Sequence, residues 1–217
     1  MKFSFRRKIT SYSKVRIVIS NIIRCSTLFI NKEKISKSTL LNVGCGPNIF
    51  DNFISLDWGW IPKIDICWDI TRKPYPLKDN SLDGIFTEHC LEHISFADCE
   101  KNLREFYRIL KPGGTIRIVV PDGELYADIY HRRKNGEEIY MPYEREEGYI
   151  TPMARMNGIF RNHGHQFIYD FETFSYQLKK TGFKDIKKET FAHGRDPRLL
   201  IDVVWRSDES LYVEASR

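Results

Sequence analysis

Residues able to do chemistry gather where short apolar runs end. "LLNVGCGPN" delivers Gly44, Cys45 and Gly46 directly after an apolar stretch, and glycine there lets the backbone approach a ligand that a side chain would hold off. "FISLD" ends on Asp57, whose carboxylate suits the two hydroxyls of a ribose. "KIDICWDI" brings Asp69, able to orient a base, with Ile70 beside it as an apolar contact. "LDGIFTEH" adds Glu88 and His89, and "TIRIVVPD" adds Asp122. Together they describe a pocket for an adenosine-containing ligand. The spacing excludes a dinucleotide, which wants G-x-G-x-x-G, a full helix and an acid about 20 residues on. Here Pro47 and Asn48 follow Gly46, and Asp57 arrives too early to leave room for a helix facing a pyrophosphate.

Two further groups stand apart. "HCLEH", His89 to His93, matches the inverted zinc-peptidase pattern H-x-x-E-H. On a helix His89 and His93 would share a face, with Glu92 as the base. No third ligand is evident, so no metal site is assigned, and zinc hydrolysis stands as a remote alternative. His163 and His165 in "RNHGHQF" lie in an irregular stretch where Gly164 allows an exposed turn. With Asp122 they are the candidate catalytic bases for an alcohol acceptor. The competing readings are plain: Asp122 as a helix cap, the histidines as surface residues.

The elements that must position these groups alternate between short apolar runs and helical patterns, the signature of an α/β domain with a mainly parallel sheet. "TLLNV", "FISLD", "KIDICWD", "LDGIFT" and "TIRIVV" read as five strands, and "DIKKETF" and "SLYVEA" as two closing ones. A helix follows Ser95, which pairs with Asp98 as a cap, and presents Leu103, Phe106, Tyr107 and Leu110. Pro112 and Gly113-Gly114 stop it. Another is expected from Phe171 to about Thr181, capped by Asp170 and ended by Gly182. Residues 123–168 read as an irregular insertion holding Tyr126, Tyr130, Tyr140, Tyr143, Tyr149, Arg155 and Arg161, suited to a polar ring or an anion.

Of the 217 residues, 41% are hydrophobic and 29% charged, enough for one globular domain (39–217) with an extension (1–38). The net charge of +5 divides into +9 on residues 1–38 and −4 on the rest. Val15, Val18, Ile19, Ile22 and Ile23 recur at helical spacing in the extension, with Lys14, Ser20, Asn21 and Arg24 opposite. An amphipathic helix packed on the domain is the first reading, an anchor on anionic lipid the second, a transit peptide the third. No nucleic-acid-binding module appears. No apolar run reaches the roughly 18 residues of a membrane span. Five cysteines without a C-x-x-C pair argue for a reducing, cytoplasmic setting.

"LLNVGCGPN", "DITRKPYPLKDNSLDGIFTEHCLEHI" and "LREFYRILKPGGTIRIVVPD" resemble, in order, the motifs of class I S-adenosylmethionine-dependent methyltransferases, particularly the type 11 group. The resemblance implies a Rossmann-like, mainly parallel seven-stranded sheet; the shortened first crossovers depart from the family's pattern, and the irregular insertion makes a lid after the fifth strand. It implies S-adenosyl-L-methionine as cofactor, with Asn42, Gly44, Cys45, Gly46, Asp57, Asp69, Ile70, Glu88 and His89 around it. Asn42 stands where the family usually has an acid. The resemblance further implies a small-molecule or glycan acceptor, O-methylated at a sugar hydroxyl. A non-catalytic cofactor-binding module of the same fold is the alternative.

Overall fold

The computed structural model describes residues 14–72, 74–142 and 151–217; Tyr143, Tyr149 and the first 13 residues of the extension fall outside them. Seven strands form one sheet: β1 (Leu40–Val43), β2 (Phe53–Asp57), β3 (Ile66–Cys67), β4 (Leu82–Glu88), β5 (Leu110–Pro121), β6 (Lys184–Glu189) and β7 (Ser210–Ser216). Their order is β3-β2-β1-β4-β5-β7-β6. β1 to β5 pair in parallel, and β7 runs antiparallel between β5 and β6. The order reverses between β1 and β4, so the ligand crevice of such a sheet opens at their carboxyl ends.

Period-two alternation gives the sheet two different faces. Leu41, Val43, Ile54, Leu56, Ile85, Ile116 and Ile118 point to the larger core, covered by helices α3 (Phe96–Ile109) and α6 (Phe171–Lys180). Helix α3 buries Cys99, Asn102, Leu103, Phe106 and Ile109, one stripe at helical spacing. Ser95 caps it, accepting from the Asp98 N–H at 3.1 Å. Fully burying Phe106 or Ile109 contributes about 1.5–3 kcal/mol each. Leu110 lies one residue beyond the helix and opens β5, so it is not part of that stripe.

Among the described residues no helix covers β1 and β2 on the opposite face, because residues 44–52 and 58–65 are too short to fold one. Leu40, Phe53, Phe86, Val119 and Tyr212 there pack under Phe50, Phe191, Leu199 and Ile201. The roof is the β6–β7 connection, and Arg117 pins it. Its fully buried guanidinium pairs with Asp202 at 2.5 Å and Glu214 at 3.0 Å and donates to the Thr190 and His193 carbonyls.

Three expectations need correction. The third strand shrinks to Ile66–Cys67, since Asp65 turns its carboxylate back onto the Ser55 N–H and the Asn31 amide. The insertion is not irregular: it holds α4 (Gly123–Lys134) and α5 (Pro152–Arg161), which pack through Tyr126, Ile129, Met141 and Ile159. Helix α1 (Lys14–Ile23) docks by only part of its apolar stripe. Val15, Val18 and Ile22 are exposed, while Ser20 and Ile23 are buried. The Ser20 hydroxyl accepts from the Trp60 N–H at 2.7 Å, fixing the helix by its polar side. The chain continues through a short helix α2 (Lys32–Lys37) into β1.

Candidate active site

The turn after β1 is shaped by two glycines in the left-handed region, Gly44 (φ 70°) and Gly46 (φ 50°). A Cβ on Gly44 would stand 2.5 Å from Cys90 Sγ, so the loops after β1 and β4 touch only because this residue has no side chain. A Cβ on Gly46 would meet open space. Asp57 closes the turn: its Oδ2 accepts from the Gly46 N–H at 2.9 Å and its Oδ1 from the Gly59 N–H at 2.8 Å. Burial raises the Asp57 carboxyl above its ordinary value while these backbone donors pull it down. Each oxygen keeps a second lone pair, so the clamp leaves acceptors for a ribose.

The neighbouring groups are equally tied. Asn42, buried, donates to the Asn48 carbonyl at 3.1 Å. Glu88 accepts from the Val203 N–H at 2.9 Å, and burial raises its carboxyl. Asp69 accepts from the Thr71 N–H and hydroxyl and lies 3.2 Å from Arg72. Ile70 packs against the larger core. Cys45 is a buried free thiol that burial raises strongly. Asn42, Gly44, Cys45, Asn48, Phe50, Phe86, Glu88 and Ile201 enclose about 20 Å³, room for about one water. A Cβ-free turn and a carboxylate with spare acceptors fit an adenosyl ligand in kind. The space enclosed there is far smaller than such a ligand, with Phe50 and Ile201 among the residues that line it.

On the other side of His89 lies a cavity of about 510 Å³, bounded by His89, Glu92, His93, Pro121 and residues of α5 and the β7 approach. "HCLEH" does not lie on one α-helix, as the peptidase reading requires. His89 sits at φ 46° just after β4, and Leu91–His93 make a single 3-10 turn. His89 and His93 therefore approach Glu92 Oε1 separately, each at 3.6 Å. His165 comes in from the end of α5, its Nε2 4.0 Å from the same oxygen. Burial is the leading cause of every shift here. It pushes Glu92 up to about 8 and pulls His89 down to about 2 and His93 to about 4, with the charge of Arg206 among the lesser causes for each. His165 is lowered too.

Of the candidate bases, His163 and His165 line this cavity and Asp122 does not. Asp122 accepts from the Glu124 and Leu125 N–H groups as the N-cap of α4, with Lys188 3.5 Å away. Trp205, Arg206 and Glu209 also line the cavity, and sequence reasoning missed them. They precede the antiparallel last strand, which carries them to the site from the far end of the chain without any local motif.

Residues 45–118 match the family model described as "Methyltransferase domain". Over that third of the chain the sequence is similar to methyltransferase domains. A methyltransferase of Archaeoglobus fulgidus, described as S-adenosylmethionine-dependent, shares the fold over 93% of this chain and 94% of its own, with 17% identity and a TM-score of 0.52. One from Mesorhizobium loti does so over 82% and 90%, with 17% identity and a TM-score of 0.50. The chain is also 41% identical over 46 residues to phosphoethanolamine N-methyltransferase 2 of Caenorhabditis elegans. That match spans 21% of this chain and only 10% of the relative.

Proposed function

We propose that this domain transfers the methyl group of S-adenosylmethionine to a hydroxyl of a saccharide or glycan seated in the histidine-lined cavity. The observation that carries this reading is the cavity itself, about 510 Å³ and reached from the end of β4 at His89. That volume is in the range of small-ligand pockets. Trp205 supplies an aromatic face, Asn162 and Glu209 hydrogen-bonding groups, and Arg155 and Arg206 charge for an anionic substituent.

The cofactor supplies a methyl group activated on a sulfonium. Gly44, Cys45 and Gly46 give it a close backbone wall, Asp57 receives the ribose hydroxyls, Asp69 and Ile70 border the base, and Asn42, Glu88 and His89 surround the methionine portion. In-line transfer asks the protein chiefly to align donor and acceptor and exclude water. His89 and the wall of α5 do the aligning on the acceptor side. The proton released by the hydroxyl passes to His163, the cavity imidazole at the exposed mouth.

Incubation with methyl-labelled cofactor and a panel of sugars and oligosaccharides tests the reading. Label is expected in a saccharide ether, with His163→Ala lowering kcat more than KM. Cofactor binding with no transfer to any acceptor would favour the non-catalytic module instead.

Among the described residues no helix is long and apolar enough to cross a membrane. The exposed Val15, Val18 and Ile22 beside Lys14 support a peripheral contact of residues 1–38 with anionic lipid. Flotation with anionic vesicles is expected to be lost on Val18→Asp with Ile22→Asp.

A further inference from the structure

Glu92 is fully buried, and among the described residues neither of its side-chain oxygens has a hydrogen-bond partner. A carboxyl withdrawn from water without a partner is expensive to ionise, and either a proton or a bound cation can answer it. Three imidazoles surround it: His89 Nδ1 and His93 Nε2 at 3.6 Å from Oε1 and His165 Nε2 at 4.0 Å. These separations exceed hydrogen-bond length, which ends near about 3.2 Å.

Two of the rings are held from behind. His165 Nδ1 donates to the Ile159 carbonyl at 2.7 Å, which fixes its proton there and leaves Nε2 as a bare lone pair toward Glu92. His89 Nε2 meets the Ser210 hydroxyl at 2.9 Å, turning Nδ1 inward. Three ring nitrogens and the Glu92 carboxyl thus converge on one point, with Nε2 of His165 presenting its lone pair there.

We propose that Glu92, His93 and His165 hold a divalent transition-metal ion of the zinc, iron or cobalt class, with His89 beside the remaining position. A tetrahedral ion with bonds of about 2.1 Å sets its ligands about 3.4 Å apart. The three ligand atoms here lie within 4.8 Å of one another, so small side-chain rotations close the shell. Two imidazoles with one carboxylate select such ions over magnesium or calcium, which take oxygen ligands. The site differs from the peptidase pattern in using Glu92 as a ligand and in drawing one histidine from about seventy residues downstream.

The ligands form part of the cavity wall, so the open coordination position faces the acceptor. An ion there holds and polarises a hydroxyl. That consequence rests on the proposed methyl-transfer function; metal binding itself does not.

The test is titration of chelator-stripped, full-length protein with Co²⁺, followed by visible d–d absorption and equilibrium dialysis. One equivalent is expected, displaced by Zn²⁺. Glu92→Gln and His165→Ala should each weaken binding by at least about tenfold, while His131→Ala, on the exposed end of α4, leaves it unchanged. If His165→Ala fails to fold, His93→Ala takes its place. Absence of stoichiometric Co²⁺, or equal affinity in folded Glu92→Gln and His165→Ala, overturns the site. Calorimetry with S-adenosylhomocysteine on the same samples separates the two readings. Metal bound without nucleoside supports this site and sinks methyl transfer; nucleoside bound without metal sinks this site alone.

Discussion

Arg117 and Glu92 are both ionisable and both fully buried, yet they are treated in opposite ways. Arg117, under the roof of the sheet, meets Asp202, Glu214 and two carbonyls. Glu92, at the cavity, has no hydrogen bond at either oxygen among the described residues. The first arrangement is complete without anything further and serves the fold; the second leaves two buried oxygens open, which the proposed ion would answer. The carboxylates Asp57, Asp69 and Glu88, at or just past strand ends, fall between, each tied to a backbone donor.

Breaking the completed arrangement should cost most. Arg117→Met leaves Asp202 and Glu214 buried and unmatched, and urea denaturation should register a loss of about 3–5 kcal/mol; a loss under about 1 kcal/mol would mean the roof is not anchored there. Next comes Gly44→Ala. A side chain at φ 70° costs about 1–2 kcal/mol before the contact with Cys90 is counted. Both the melting temperature and nucleoside affinity should fall. Asp122→Ala should cost about 1 kcal/mol as a lost cap, whereas Asp122→Asn, which still caps, should keep stability within a few tenths of a kcal/mol. Collapse of turnover in Asp122→Asn would restore it as a catalytic base. The smallest effect belongs to the open arrangement. Glu92→Gln in metal-free protein loses no hydrogen bond, so stability should shift by less than about 1 kcal/mol.

The same contrast explains what the sequence made legible. Strand ends could be read because apolar runs stop at Gly44, Asp57, Glu88 and Asp122, and parallel strands deliver their carboxyl ends to one edge. The fold follows from that alternation. The third strand came out shorter and the insertion more ordered than expected, since a side chain such as Asp65 can take a ladder position and α4 buries only Tyr126 and Ile129. His163 and His165 were visible as residues, but their meeting with "HCLEH" was not. That meeting depends on how α5 lies over the end of β4, a tertiary packing with no local period. Trp205, Arg206 and Glu209 carried no signal at all, arriving through the antiparallel return of β7.

The central claim is that the crevice at β1 and β2 takes an adenosyl ligand despite the small space enclosed there. Isothermal titration of the full chain with S-adenosylhomocysteine, alongside Asp57→Ala, tests it most directly. One equivalent bound by the parent protein and binding lost in a folded Asp57→Ala is the predicted result; no binding by the parent, or unchanged affinity in the variant, would contradict it.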